Sequence, residues 1–384
     1  MAHNSNLPAL EAEFAQYVDD LDGDRQGAEA GDKYLSAAHA KFRAGGLPWS
    51  QVPLILTSGQ LNVIRGGAET AAAVLEKAVR LYLRDADFRA GFGFTPELEA
   101  LTLVPTGYDP ALPLARIDVD VDARTGRYVL RGVAVDGFTG MTSTVEVTRA
   151  VKTGEAYRRF AAAHPGIEEL DPVASLVETL RATYRGWANS CAGERHPDHP
   201  ALGIVGYPEE ADLDEVSDLI ERFREEGVFA RFVDICNLRV ETAAGQARLV
   251  DDEGPIACAY RLATTEEIAT RPCPGTEALV EAARRGLACV VGGFSAWSCA
   301  GDALFDQLRS PLLQAELTPE EAAFVAEHLP STQSGASPTV PATSPLGVFV
   351  FGGKLAGVFP AGAEKDIMGR TAEHVYRGVL VVQE

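Results

Sequence analysis

Alternating apolar and acidic residues mark a hairpin in the first half of the chain. Between residues 117 and 122, Ile and Val side chains alternate with Asp118, Asp120 and Asp122. The segment ARTG then supplies a turn, and YVLRGVAV continues as a second apolar run. Alternation with a period of two around a turn is typical of an antiparallel hairpin with one buried face. The pattern predicts two strands over residues 114–135, the first of which presents carboxylates.

Helical spacing of apolar residues occurs on both sides of this hairpin. The pattern from Gly66 to Arg89 has a period near 3.6 residues. The glycine pair in GGAETAAA indicates that this helix begins at residues 66–73. Similar spacing predicts helices over 153–163 and 172–187.

A strand, an amphipathic helix and a second strand follow one another at 201–207, 212–227 and 228–235. Such a unit forms a parallel pair with a right-handed crossover. Further strands are predicted at 255–262 and 287–294, and helices at 275–286, 301–315 and 318–328. The apolar runs LGVFVFGG, KLAGVFP and HVYRGVLVV predict strands near the C-terminus. The expected fold class is α/β, with a Rossmann-like βαβ segment and added antiparallel strands.

Composition shifts predict five segments along the chain. The segment STQSGASPTVPATSP is rich in Ser, Thr and Pro, which is typical of a linker. The predicted segments are a partly ordered acidic lead-in (1–33), an N-terminal α+β region with the hairpin (34–190), a Rossmann-like region (191–330), the linker (331–345) and C-terminal strands that pack back on the core (346–384).

The overall charge of the chain argues against two classes of partner, nucleic acids and membranes. The chain has 384 residues, 46% of them hydrophobic, and a formal net charge of −21. Binding to a phosphate backbone or an anionic membrane needs a basic surface, so we expect neither nucleic acid nor membrane as a partner. The acidity is most simply explained by solubility.

Cysteine usage and the N-terminal sequence predict a cytoplasmic location. The segment MAHNSNLPALEAEFAQ lacks the basic and apolar stretches of a secretory signal. Six cysteines are scattered along the chain and none forms a CxxC pair, so we expect reduced thiols.

Several stretches occur in the order found in one enzyme family. They are VLEKAVRLYLRDADFRAGFGFTPE (74–97), LPLARIDVDVDARTGRYVL (112–130), GIVGYPEEADLDEVSDLIERFREEGVFARFVDICNLRV (203–240), PIACAYRLAT (255–264), LTPEEAAFVAEHLPST (317–332) and LGVFVFGGKLAGVFP (346–360). Together they resemble the circularly permuted ATP-grasp ligases, the glutathionylspermidine synthase-like group. The resemblance runs over most of residues 50–384. It implies an enzyme that uses ATP and Mg²⁺ to activate a carboxylate as an acyl phosphate, which an amine then attacks.

The chain departs from that family where ATP and Mg²⁺ would bind. The family carries Glu, one residue and Asn on the second hairpin strand, where this chain has Gly132 and Ala134. The linker stands where the family has a lysine-bearing, glycine-rich segment that grips ATP. Gly301 and Asp302 stand in place of a lysine pair, and Pro360 in place of an arginine. Because all four changes affect one function, we predict a degenerate ATP-grasp-like site with no cofactor and no metal.

The residues that survive in this framework are the candidate site. Arg116 and Asp118 face the same side of one strand, as an anion or amine contact or as a structural ion pair. Arg131 is expected on the face opposite to Gly132 and Ala134. Arg261 is either a carboxylate clamp or a solvated arginine at a strand end. We predict catalytic groups at Arg116, Asp118, Asp136 and Arg261.

Three further residues are candidates for ligand binding. Tyr260 lies next to Arg261, and at most one of the two can face the cleft. Cys299 either opens a helix, where the dipole lowers a thiol pKa, or is a small core residue. Arg65 precedes the predicted helix start at residues 66–73, whose positive end would hold a carboxylate or phosphate.

The loop 188–201 is dense in residues that bind metals. Cys191, His196 and His199 lie there with two acids, although a structural zinc site usually has four ligands at tighter spacing. A polar, solvated loop is the alternative.

Three functions follow from the degenerate framework. The first is an ATP-independent enzyme of the lyase, isomerase or cyclase type, acting on a small amino-acid-like molecule in specialised metabolism. The second is a non-catalytic pseudoenzyme that supports a partner ligase, and the third is a carboxylate–amine ligase with a rebuilt ATP site. The expected partner is a small molecule with a carboxylate or an amine, and a protein partner is the alternative.

Overall fold

The structure is a computed structural model, and it describes residues 9–38, 41–42, 45–122, 128–191, 196–243, 245–301, 303–329, 343–360 and 375–383. The helices are α1 Ala9–Asp20, α2 Arg25–Ala37, α3 Ser58–Arg84, α4 Ala86–Ala90, α5 Pro96–Thr102, α6 Met141–Val151, α7 Glu155–Ala163, α8 Pro172–Ser190, α9 Leu213–Glu225, α10 Thr265–Thr270, α11 Pro274–Arg285, α12 Ala303–Leu308, α13 Pro311–Gln314 and α14 Pro319–His328. Short 3₁₀ helices span Ile235–Asn237 and Phe294–Cys299.

Within the described residues the strands form five separate sheets. They are β1 Lys41–Phe42, β2 Gly45–Gly46, β3 Trp49–Thr57, β4 Leu114–Asp122, β5 Tyr128–Ala134, β6 Leu202–Gly206, β7 Ala230–Asp234, β8 Arg239–Ala243, β9 Gln246–Asp251, β10 Gly254–Pro255, β11 Cys258–Arg261, β12 Cys289–Val291, β13 Thr343–Phe351, β14 Lys354–Pro360 and β15 Tyr376–Val382. The sheet orders are β12-β11-β6-β7, β14-β13-β4-β5, β10-β9-β8, β15-β3 and β1-β2. The mixed α/β fold class predicted from the sequence is confirmed.

The sheet β12-β11-β6-β7 is entirely parallel. Helices α8 and α9 pack on one face of it, while the apolar side of α11 packs on the other. The chain leaves β6 through α9 toward β7 and leaves β11 through α11 toward β12, so the two crossovers diverge between the central strands. A crevice for ligands commonly forms at such a switch point, outside the carboxyl ends of the strands.

The predicted hairpin is the pair β4 and β5 in the antiparallel sheet β14-β13-β4-β5. Its apolar side chains, among them Ile117 and Val119, lie in the core that also contains the buried face of α3. Burial of one such side chain contributes about 1.5–3 kcal/mol to folding. The β13–β14 hairpin turns at Gly352 and Gly353, whose φ angles of 55° and 74° suit glycine at both positions.

Helix α3 begins earlier than the glycine pair indicated. Thr57 and Gln60 form a capping box, so the helix starts at Ser58 and residues 66–73 lie in its interior. The predicted helix start at 66–73 is therefore wrong. A Cβ on Gly67 would lie 1.9 Å from the hydroxyl oxygen of Tyr128, so glycine is required there for close packing and not as a helix signal.

A β-bulge changes the face on which Arg131 lies. Gly132 pairs with Asp118 and Leu130 with Val119, so Arg131 is the extra residue. Its guanidinium lies 2.6 Å from Asp120, which shares the polar face of β4 with Asp118. The expectation that Arg131 points away from the polar face is wrong, because one inserted residue reverses the alternation.

Candidate active site

A crevice lies at the carboxyl edge of the parallel sheet, between β6 and β11. It is a cavity of about 80 Å³. Its walls are the turn after β6 (206–207 and 210–212), residues 215, 216 and 219 of α9, the turn after β11 (262–264 and 267) and the loop 137–139. The crevice therefore lies at the switch point, where the two crossovers diverge.

The crevice is acidic. Carboxylates line it, and no Lys, Arg or His stands among its described lining residues: the acids are Glu210, Asp212, Glu215 and Glu267. Asp212 caps α9, and Glu267 completes the capping box of α10. Arg271 pairs with Glu210 at 2.9 Å. Glu215 is the acid whose surroundings set it apart.

Glu215 binds the N-terminus of α6. Its carboxylate accepts hydrogen bonds from the backbone N–H groups of Gly140 at 2.9 Å and Met141 at 3.0 Å, and a longer one of 3.4 Å from Thr142. Orphan N–H groups and the helix dipole favour an anion at this place. Burial raises the pKa of Glu215 to about 7, and the backbone hydrogen bonds oppose that rise. The group therefore changes charge near neutral pH.

A second acid lies one turn further along α9. Asp218 is buried, and its Oδ1 has no hydrogen-bond partner among the described residues. Burial raises the pKa of Asp218 to about 8, with the charges of Glu146 and Glu215 adding to the rise. Glu146 itself accepts hydrogen bonds from the Tyr34 hydroxyl at 2.6 Å and from Arg149 at 3.0 Å. The charge of Glu215 thus acts on Asp218, three residues further along the same helix.

Asp136 and Arg261 form a buried ion pair beside the crevice. Their side chains are 1% and 0% exposed, and the guanidinium lies 2.9 Å from the carboxylate. Arg261 also donates to the carbonyls of Gly292 and Ala263, and Asp136 accepts two hydrogen bonds from Thr265. The pair ties the loop after β5 to the turn after β11. Arg261 is thus not a solvated arginine at a strand end, and that alternative is wrong; its role as a carboxylate clamp stays a prediction, and its Nη2 is buried without a hydrogen-bond partner among the described residues.

Arg116 and Asp118 lie on the polar face of β4. Two hydrogen bonds of 2.8 and 3.1 Å join the guanidinium to the carboxylate. Arg116 also donates, at 3.4 Å, to the carbonyl of Thr139, which lines the crevice. The structure therefore shows the ion pair, and it places this pair against the outer side of the crevice loop.

Gly132 and Ala134 stand opposite this ion pair. The register pairs Asp118 with Gly132 and Arg116 with Ala134, so all four positions share one face. A Cβ on Gly132 would meet no heavy atom within 4 Å. Mg²⁺ takes oxygen ligands, and neither Gly132 nor Ala134 has a side-chain oxygen. The residues at these positions do not fit the metal site that the ligase resemblance implies.

The three predicted ligand-binding residues lie apart from the crevice. Tyr260 is 2% exposed in the core between the parallel sheet and α8, and burial raises its pKa well above the ordinary value. Cys299 is fully buried beside α3, with its Sγ 3.7 Å from the carbonyl of Leu75, and burial raises its thiol pKa strongly. That environment favours the core alternative for Cys299. Arg65 is exposed in the middle of α3 and bonds Asn62, away from any helix end.

The loop rich in metal-binding residue types is only partly described. The ring of His196 packs against Trp187 with centroids 4.4 Å apart and planes tilted by 53°, and His199 is exposed. Within the described residues, no three His, Cys, Asp or Glu side chains form a group able to hold a metal ion. Glu194 lies outside the described residues.

Sequence reasoning did not find Glu215 and Asp218. The local signal is a pair of acids three residues apart on an amphipathic helix. Each acid directly precedes an apolar residue, Val216 or Leu219. Acids in a first helical turn are common because they suit the dipole. Glu215 differs from an ordinary surface acid only because the fold places the N-terminus of α6 against it.

No helix of the described chain is long and apolar enough to cross a membrane. No protein-family model matches the chain, and no curated protein matches it at a significant level. Among solved structures, a glutathione synthetase-like effector from Globodera pallida, in its apo form, covers 94% of this chain and 97% of its own length. The TM-score is 0.58 and the sequence identity 12%. The chain therefore shares the α/β fold of this glutathione synthetase-like effector, and the assignment to the circularly permuted ATP-grasp ligases stays a prediction.

Proposed function

We propose that this chain is an ATP-independent enzyme that moves a proton on a small amino-acid-like molecule, with Glu215 as the acid–base group. One observation carries the proposal: a carboxylate with a pKa of about 7 lines the crevice at the switch point of the parallel sheet. A general acid–base group is most effective when its pKa is near the working pH. Perturbed groups in a cleft are candidates for function.

The charge of the crevice selects the substrate. Several carboxylates and no described cation line it, so it favours a molecule that carries an ammonium group. The N-terminus of α6 offers the complementary contact, because its N–H groups hold an anion. In this proposal the substrate carboxylate replaces Glu215 on Gly140 and Met141. Glu215 is then released to take a proton from the substrate.

The neighbouring acid supports this role. Asp218 is buried one turn away, and the charge of Glu215 adds to the rise of its pKa to about 8. Near pH 7 Asp218 is therefore protonated and neutral, so Glu215 can accept and return a proton without a charged acid at that position. Lyases, isomerases and some cyclases share one step, in which a proton next to a carboxylate is removed and returned. The crevice residues are compatible with all three classes of enzyme.

Independence from ATP rests on the polar face of the hairpin. Gly132 and Ala134 stand where the resemblance implies a metal-binding carboxylate and amide, and neither has an oxygen ligand to offer. Asp118 is already paired with Arg116. A phosphoryl-transfer reaction would lack the ligands that hold its metal.

A second candidate function is favoured by one feature of the crevice. Glu215 fills the anion site at the N-terminus of α6 with the protein's own carboxylate. In a non-catalytic protein that supports a partner ligase, this contact would be permanent and purely structural. The two candidates therefore differ in whether Glu215 ever leaves α6.

Solvent-exchange mass spectrometry tests the proposal without knowledge of the net reaction. The protein is incubated in D₂O with amino-acid-like metabolites and no ATP, and each is monitored for deuterium uptake and for loss of water or ammonia. We expect uptake or conversion of one class that rises with pH through about 7, as Glu215 ionises. Glu215→Gln should abolish it. Glu221→Gln, an exposed acid on the same helix, is the matched control and should retain it.

The outcomes separate the candidates. Full activity in Glu215→Gln would remove Glu215 from the chemistry. Saturable binding without exchange or conversion would favour the supporting role. A strict requirement for Mg·ATP would contradict ATP independence.

A further inference from the structure

A second cavity lies at the opposite edge of the parallel sheet. It is bounded by the beginning of β6, the beginning of β11, the turn before β7 and one side of α8. Its apolar wall consists of Val177, Leu180, Leu202, Phe223 and Cys258, all at most 5% exposed. This cavity lies at the amino ends of the strands, whereas the crevice lies at their carboxyl ends.

The cavity has the size of one aromatic ring. Its volume is about 160 Å³. An apolar cavity of about 150 Å³ in a protein core stays dry and binds benzene. Protein interiors have few voids larger than a water molecule, so a cavity of this size on a folded core needs an explanation.

Cationic side chains stand at the mouth of the cavity. Arg181, Arg185 and His199 line it, with Asp198 as the single carboxylate of the lining. Arg181 is engaged with the carbonyl of Glu226 and pairs with Glu178 at 3.5 Å. Arg185 is exposed and has no ion-pair or hydrogen-bond partner among the described residues. In a chain with a net charge of −21, an unpaired arginine beside an apolar cavity is the group best placed to bind an anion.

We propose that this cavity binds a small aromatic carboxylate. The ring enters the apolar cavity, and the carboxylate lies at the mouth against the guanidinium of Arg185. A ligand pocket is typically apolar with a few polar groups that fix orientation, and this cavity has that division. Phe229 borders the mouth and is 83% exposed, so its ring is free to cover a bound ring. The site is independent of Glu215 and of the chemistry proposed for the crevice.

Isothermal titration with 3-phenylpropionate tests the site. The neutral amide of the same acid and propionate are the ligand controls, because one lacks the charge and the other lacks the ring. We expect saturable binding of 3-phenylpropionate that weakens as salt is added, and at least about tenfold weaker binding of both controls.

Variants place the binding in the cavity. Arg185→Gln should weaken binding by about tenfold or more, since a charge-assisted contact is lost. Arg224→Gln removes an equally exposed arginine, on α9 outside the cavity lining, and should leave binding unchanged. Val228→Trp should block the cavity from its rim, and circular dichroism shows whether each variant is folded. Glu215→Gln should bind as the parent does.

Three results would overturn the proposal. One is no saturable heat with 3-phenylpropionate. Another is equal affinity for the neutral amide, or unchanged affinity in both Arg185→Gln and Val228→Trp. The third is a concentration-dependent dimer that Phe229→Ala abolishes and 3-phenylpropionate leaves intact, which would assign the cavity to the Phe229 ring of a second copy.

Discussion

Two buried acids lie beside the same crevice, and they differ in whether an arginine lies next to the carboxylate. Asp136 is paired with Arg261, and both side chains are fully buried. Asp218 is equally buried, has no cationic partner among the described residues, and lies near the further carboxylates Glu215 and Glu146. A buried carboxylate without a counter-ion is disfavoured in its charged form. Asp218 has its pKa raised to about 8.

This difference separates a structural acid from a candidate functional one. The Asp136–Arg261 pair joins two loops that form the crevice, and Asp136 also accepts two hydrogen bonds from Thr265. Glu215 and Asp218 change charge near neutral pH, which a structural contact does not need. The neutral and the charged forms of these acids are therefore both accessible to the folded protein.

Arg261→Met should have the largest effect. It leaves Asp136 as an uncompensated buried charge, which typically costs about 3–5 kcal/mol. Urea denaturation should show that fall in the free energy of unfolding. Arg116→Met is the matched control, because its ion pair with Asp118 is partly exposed and should contribute less than about 1 kcal/mol. Similar losses in the two variants would mean that burial does not distinguish the pairs.

Asp218→Asn should stabilise the protein at alkaline pH. The folded pKa is about 8, against an ordinary value of 3.8, so the native state keeps a proton that the unfolded chain releases. The stability that this proton contributes is complete below about pH 4 and is lost as the pH rises toward 8. The variant should match the parent near pH 4 and exceed it by about 1–3 kcal/mol at about pH 8.5.

Urea denaturation over this pH range measures the effect, with Glu221→Gln as a control that should show no such divergence. Parallel stability curves for the parent and Asp218→Asn would show that Asp218 does not hold a proton in the folded state.

Gly132→Glu combined with Ala134→Asn should have the smallest effect. It adds a carboxylate on the partly exposed face of the hairpin, where a Cβ at residue 132 meets no neighbour. Surface changes of this kind usually alter the free energy of unfolding by no more than about 0.5 kcal/mol. We expect a phosphate-release assay to detect no ATP hydrolysis, because the segment 331–345, where the ligase resemblance implies a lysine-bearing segment, contains no lysine. Measurable Mg·ATP hydrolysis would show that the site is one step from a working ligase.

Periodicity predicted most of the elements but not the long-range contacts around the crevice. The β6–α9–β7 unit followed from local sequence, because buried parallel strands and an amphipathic helix both have clear patterns. The partners Asp136 and Arg261 are far apart in the sequence and meet only because β5 and β11 end at the same place. Glu215 has the appearance of an ordinary first-turn acid until α6 is placed against it. One bulge decides on which face of the hairpin Arg131 lies, and the alternation of apolar and polar residues alone does not indicate that bulge.

Strand β15 has a consequence for the order in which the chain can fold during synthesis. It pairs in parallel with β3, so that Tyr376 lies beside Trp49, and Arg377 reaches Glu11 at 2.5 Å. At about 5–20 residues per second, a ribosome needs roughly 15–65 s between making the two strands. Until then β3 has an unpaired edge, and such edges recruit other chains. Expression of a chain that stops after Pro360 should therefore favour aggregation through β3, even though the parallel sheet and the hairpin are complete.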